Sequence, residues 1–127
     1  MTVTNAKETM YAGEKRIFAY AIIDRDTVGD PPLNLTGLTV RWAISRLGAN
    51  GYSKQPVVKK DSAGVGGVVI TSAVGGLAEV TIMRADTETL LGDFHIECEV
   101  ADGSGEYEVV AVADLEILVN VDNSLSV

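Results

Sequence analysis

The chain has 127 residues, 46% hydrophobic and 22% charged, with 13 glycines, 3 prolines and one cysteine. That length accommodates one core that buries roughly two thirds of the unfolded surface, and the Val, Ile and Leu content excludes general disorder. A single cysteine excludes an internal disulfide, and the net charge of -8 argues against nucleic acid and anionic membrane surfaces, which select basic faces.

Met1 to Glu8 has neither a basic start nor an apolar run, and no later stretch approaches the ~18 apolar residues of a membrane span. The expectation is a protein made in the cytoplasm without signal peptide or transmembrane segment. Lys15 to Ile23 reads as a strand apolar on both faces, Phe18, Tyr20 and Ile22 on one and Ile17, Ala19, Ala21 and Ile23 on the other. The charged, turn-forming stretch Asp24 to Asn34 ends it. Thr39 to Arg46 follows with the alternation of a half-buried strand, Val40, Trp42 and Ile44 facing inward.

Leu47 to Pro56 reads as a loop, Val57 to Lys60 as a short strand and Asp61 to Gly67 as a glycine-rich connection. Val68 to Thr71 and Leu77 to Met83 are two further strands, with Ala78, Val80 and Ile82 toward the core and Glu79 and Thr81 toward water. Asp86 to Leu91 is a possible helical turn, capped by Asp86 and ended by Gly92. The clearest element is a hairpin: Phe94, Ile96, Cys98 and Val100 alternate with His95, Glu97 and Glu99, and Asp102-Gly103-Ser104-Gly105 turns the chain. From Tyr107 to Val121 every odd position is apolar, which is too long for one regular strand and predicts a bend or bulge near Val110 to Ala113.

These strands predict an all-β fold: one domain over 1–127, an immunoglobulin-like antiparallel β-sandwich of about seven to eight strands with one short helical turn. The buried Trp of such folds packs on a disulfide, which Cys98 alone cannot form; Phe18 or Tyr20 is expected to fill that space beside Trp42. Met1 to Glu8 and Asn120 to Val127 are expected to be frayed ends or arms that order on assembly.

Little in the sequence points to catalysis. His95 is the single histidine and the one residue able to serve as base for a nucleophile; its alternation assigns it to the strand surface. Cys98 falls on the apolar face as an inert thiol. Gly64, Gly66, Gly67, Gly75 and Gly76 lack the following Lys-Ser/Thr of a phosphate loop and read as turns. Asp24, Asp26 and Asp30 share a loop and are weak candidates for a Ca²⁺ site, without the spacing of an EF-hand. Glu97, Glu99, Glu106 and Glu108 lie on an open hairpin with no cleft to raise one pKa. No catalytic residue and no cofactor is therefore assigned.

Association is better represented. Residues 1 to 84 carry ten basic against seven acidic groups, a net +3, whereas Ala85 to Val127 holds eleven acidic and no basic groups. The acidic hairpin residues Glu97, Glu99, Glu106 and Glu108 would suit the Arg41, Arg46, Lys54, Lys59 and Lys60 region of another copy in a head-to-tail contact. Ile17, Ala19 and Ala21, with Val110, Val112 and Leu118 on the otherwise polar side of the last strand, are apolar surplus that a partner would cover. Open sheet edges offer a third route.

Several segments carry a family resemblance in their order and spacing: Gly13-Glu14 before Phe18 to Ile22, Leu35-Thr36-Gly37-Leu38-Thr39-Val40-Arg41-Trp42, Gly76 to Ile82, and Ala85-Asp86-Thr87 to Leu90 followed by Gly92, Phe94, Glu97, Val100 and Asp102-Gly103. Together they resemble small immunoglobulin-like domains of tailed bacteriophages and prophages, similar to the N-terminal domain of the baseplate upper protein. The resemblance implies a non-enzymatic virion part that attaches to tail or baseplate, neck or capsid proteins and to copies of itself. A baseplate upper protein continues into a long receptor-bearing region, whereas this sequence stops at Val127, a departure that counts against baseplate duty and leaves a stand-alone capsid- or neck-bound accessory open. The alternative is a carbohydrate-binding or host-adhesion module, which would need Trp42 and Tyr52 exposed together.

Overall fold

A computed structural model of the chain describes residues 5–47 and 54–119. Eight strands and one short helix follow in order: β1 Asn5–Tyr11, β2 Arg16–Ala21, β3 Thr39–Leu47, β4 Lys54–Asp61, β5 Val68–Ser72, β6 Leu77–Ile82, α1 Arg84–Thr87, β7 Gly92–Ala101 and β8 Tyr107–Leu118. They form a five-stranded sheet, β1-β8-β7-β3-β4, and a three-stranded sheet, β2-β6-β5. The two sheets make the expected sandwich.

Period-two alternation places the core between them. Met10, Phe18, Trp42, Ile44, Val80, Ile82, Ile96, Leu115 and Ile117 are all buried there, and each sits on the inward parity of its strand. The space beside Trp42 is filled as expected, by both aromatic residues of β2. The Phe18 ring lies 5.4 Å from Trp42 centroid to centroid, and Trp42 Nε1 donates to the Tyr20 hydroxyl at 2.8 Å. Burial pushes the Tyr20 hydroxyl pKa upward, so it stays protonated and neutral in this contact.

The N-terminal end departs from the sequence reading. Asn5 to Glu8 are not part of an arm; they open β1, which pairs in parallel with β8 from Asn5 beside Val112 to Tyr11 beside Leu118. Asn120 to Val127 lie outside the described residues. The helical turn also begins earlier than expected, at Arg84. Asp86 is the third helical residue and its carboxylate accepts the Met83 N–H at 2.8 Å, while Gly92 begins β7 instead of ending the helix.

The bulge falls at Val110. Cys98 pairs with Ala111 and Glu99 with Val109, so β8 carries one extra residue between them. That residue switches the parity of the strand. Ala111, Ala113, Leu115 and Ile117 share faces with inward residues of β7, whereas Val109 and Tyr107 turn outward beside Glu99 and Ala101. The unbroken inward face expected from Tyr107 onward therefore starts only at Ala111. Val110, assigned to the outer face from the sequence, packs against the core.

Two aspartates close tight connections in the same way. Asp61 Oδ1 accepts the N–H groups of Ala63, Val65 and Gly66 at 2.9–3.0 Å. Asp102 Oδ1 accepts the N–H groups of Ser104 and Glu106 and the Ser104 hydroxyl, which fixes the β7–β8 turn. Gly76, at φ +69°, does the corresponding work before β6: its carbonyl accepts the Ile22 N–H, and a Cβ there would stand 2.4 Å from the Ile22 oxygen.

Candidate interaction surface

The outer faces of the two sheets differ in chemistry. That of the five-stranded sheet is charged and internally paired. Arg41 on β3 meets Glu99 on β7 at 2.5 Å and places its guanidinium 5.4 Å from the centre of the outward Tyr107 ring. Lys60, on the inward parity of edge strand β4 opposite Trp42, meets Asp86 of α1 at 3.0 Å. Basic and acidic groups segregated along the sequence are thus interleaved in space, because β3 and β7 are adjacent. Two of the basic residues expected to bind another copy, Arg41 and Lys60, already have acidic partners within the chain.

Arg41, Ala43, Ser45, Lys59, Glu97 and Glu99 line a groove of about 320 Å³ on this face, so Glu97 and Glu99, half-buried, do not lie on the cleft-free open face expected from the sequence. Glu106 and Glu108 lie beyond it, exposed at the turn end of the hairpin. Val112 and Leu118 are half-buried on the outer face of β8, flanked by β1 and β7 or by β1 alone.

Register also aligns Ser45, His95 and Asp114 in one row across β3, β7 and β8. The sequence had not suggested this trio, since the three residues are far apart along the chain. Its geometry is not that of a charge-relay site. His95 Nδ1 stands 3.9 Å from Asp114 Oδ1, its Nε2 is buried without a hydrogen-bond partner, and Ser45 is buried. Backbone N–H groups in the interior of a sheet are engaged in the ladder, so these strands have no spare donors at this point for an oxyanion. His95 lies on the outer face, as expected, but its side chain is only 15% exposed.

The remaining sequence candidates are dispersed or enclosed. Asp24 spends one oxygen on the Asp26 N–H and the other on the Thr27 hydroxyl, an Asx turn. Among the described residues no group of three or more His, Cys, Asp or Glu gathers to hold a metal ion, so Asp24, Asp26 and Asp30 do not form a ligand set. Cys98 is fully buried and burial pushes its thiol up to about 12. Trp42 is 2% exposed and so cannot form the aromatic platform that glycan binding would require; Tyr52 lies outside the described residues. No helix among the described residues is long and apolar enough to cross a membrane.

The outer face of the three-stranded sheet is of the opposite kind. It presents Ile17, Ala19 and Ala21 from β2, Leu77, Glu79 and Thr81 from β6, and Val69 and Thr71 from β5. Ile17 is 53% exposed, Val69 62% and Leu77 42%, and Glu79 is the one charged side chain among the described strand residues of this face. Ile17, Ala19 and Ala21 were legible from the doubly apolar β2 pattern. Val69 and Leu77 were missed, although the consecutive apolar residues Val68-Val69-Ile70 and Leu77-Ala78 signal occupancy of both parities.

Compared with known protein families and with curated proteins, the sequence matches no family model and no curated protein.

Proposed function

We propose that this chain is a non-catalytic docking domain, whose sandwich is a scaffold and whose three-stranded sheet is the contact face. The observation that carries this reading is the exposed, nearly uncharged surface of Ile17, Val69 and Leu77. An exposed sheet face is ordinarily polar, since alternation leaves the outward positions free for charged residues. Here the charged residues concentrate on the opposite sheet. A partner that covers this face removes apolar area from water at roughly 25 cal/mol per Å². The resemblance to phage immunoglobulin-like domains makes the partner a virion protein of the tail or baseplate, neck or capsid surface.

The test is pull-down with purified portal, capsid and tail proteins encoded beside the gene. Capture of one defined partner is expected, with loss in the folded double variant Val69→Lys, Leu77→Lys. Failure of every virion protein to bind, or binding unaffected by the double variant, overturns the proposal.

A further inference from the structure

The sandwich has four sheet edges: β1 and β4 in one sheet, β2 and β5 in the other. Exposed edges invite pairing with other chains, and natural sheets blunt them with Pro, Lys, bulges or short length. Three of these four carry such a device. β4 has Pro56, outward Lys59 and an irregular register opposite Ile44 and Ser45. β5 has five residues and a register shift between Ile70 and Ser72. β1 carries Lys7, and its Thr9 carbonyl is occupied by the Arg16 guanidinium.

β2 has none of them along Ile17 to Ala21. Its hydrogen-bonding phase follows from Ile22, whose N–H donates to Gly76 on the β6 side at 2.8 Å. Antiparallel ladders alternate, so Phe18 and Tyr20 bond toward β6 while the N–H and C=O groups of Ile17, Ala19 and Ala21 point out of the sheet. A groove of about 270 Å³ runs beside this edge, walled by Phe18, Tyr20, Ile96 and Ala113 and, toward Arg16, by the ion pair of Arg16 with Glu8 at 2.6 Å. Among the described residues this edge is therefore unpaired, free of register shifts, and uncharged from Ile17 to Ala21.

We infer that β2 is a homotypic pairing edge: two copies join antiparallel strands about a two-fold axis near Ala19, giving one continuous six-stranded sheet. The inference rests on the docking reading above, in that the same strand supplies part of the exposed face. Electrostatics favours a second copy in this arrangement. The stretch Ile17 to Ala21 contains no charge, so its symmetric overlap opposes no like charges, with Ile17 of one copy beside Ala21 of the other. The acidic side chains Glu97, Glu99, Asp114 and Glu116 of β7 and β8 lie on the outer face of the other sheet, and Glu8, the carboxylate in the groove, is paired with Arg16, which limits repulsion between two chains of net charge -8.

Sedimentation velocity across a wide concentration range tests this on the full chain. The wild type is expected to show a monomer–dimer equilibrium. Ala19→Pro removes an outward N–H that the isolated fold does not use and is expected to weaken dimerisation more than about tenfold with unchanged circular dichroism. Ile17→Lys, a charge on the outward face of the same edge, is expected to act likewise should the proline variant fail to fold. Ala19→Cys should yield a disulfide-linked dimer on mild oxidation, whereas the wild type, with Cys98 buried, should not. Val69→Lys, on β5, should leave the dimer intact. A wild type that stays monomeric, a dimer that persists in folded Ala19→Pro, or one lost in Val69→Lys instead overturns edge pairing. A monomeric wild type that still captures a virion protein through Val69 and Leu77 overturns edge pairing alone and leaves the docking face standing.

Discussion

Trp42 on β3 and Tyr20 on β2 tie the two sheets together by a hydrogen bond of 2.8 Å from the indole N–H to the phenol oxygen. Both residues face the core, and Trp42 is 2% exposed. Removing the acceptor leaves a buried donor with no partner, which costs more than the hydrogen bond itself contributes. Tyr20→Phe is therefore expected to destabilise the fold by about 1–3 kcal/mol with the sheet order unchanged. Urea denaturation followed by Trp42 fluorescence measures it.

Two glycines with similar backbone angles are expected to tolerate alanine very differently. Gly37 has φ +77° and open space around a Cβ; Gly76 has φ +69° and backbone oxygens of Ile22 and Leu33 at 2.4 and 3.0 Å from one. Gly37→Ala meets only the left-handed penalty, about 1 kcal/mol. Gly76→Ala must also push apart backbone that cannot rotate away, and about 3 kcal/mol or more is expected. Thermal denaturation of the two variants side by side gives the ranking.

Stability is expected to fall on acidification through the carboxylates of the two tight connections. The Gly66, Ala63 and Val65 N–H groups hold the Asp61 carboxyl below its usual range, and the hydroxyl and N–H of Ser104, with the Glu106 and Gly105 N–H groups, do the same for Asp102. Both native pKa values are lowered, so the unfolded state binds more protons below about pH 4. The contribution is complete above the unfolded value and is lost as pH falls through the native one. Asp61→Asn and Asp102→Asn should each flatten the acid limb of a stability–pH curve.

The Cys98 thiol, pushed up to about 12 by burial, should be inert in the native state. Iodoacetamide labelling followed by mass spectrometry is expected to report global unfolding, with no modification of folded protein at pH 8 or 9. Because the native pKa is raised, this group's contribution is whole below the unfolded thiol's pKa and is lost as pH climbs through the native value.

Raising salt is expected to leave both fold and self-association largely intact. The half-buried Arg41–Glu99 pair contributes about 1 kcal/mol, and pairing at β2 uses backbone groups and uncharged side chains. A dimer that dissociates toward ~1 M salt, where the screening length is ~3 Å, would instead identify contacts between the acidic hairpin and basic residues of another copy.

Seven of the eight strands were legible in the sequence because alternation of apolar and polar residues is a local property of a strand with one buried face. The β7–β8 hairpin was legible for the same reason, together with the turn chemistry of Asp102 and the glycines after it. Ile17, Ala19 and Ala21 announced an exposed apolar strip because they double the apolar face of β2. β1 was not legible: Asn5 to Thr9 is mostly polar, and the strand gains its place by burying Met10 and by parallel pairing with β8, more than a hundred residues later.

What the sequence by itself determined is the fold class and the inward residues of most strands. Tertiary structure alone decided which strands became neighbours, and with that the partners of the charges. Arg41 and Glu99 are joined by the β3–β7 register, so a segregation of charge along the chain became an internal pairing on one face. The bulge at Val110 likewise exchanged the faces of Tyr107 and Val109, since one inserted residue inverts every side chain on its far side. The uncovered edge of β2 was also decided there. A strand's edge is free or filled according to which other strand pairs with it, and that depends on contacts distant in sequence.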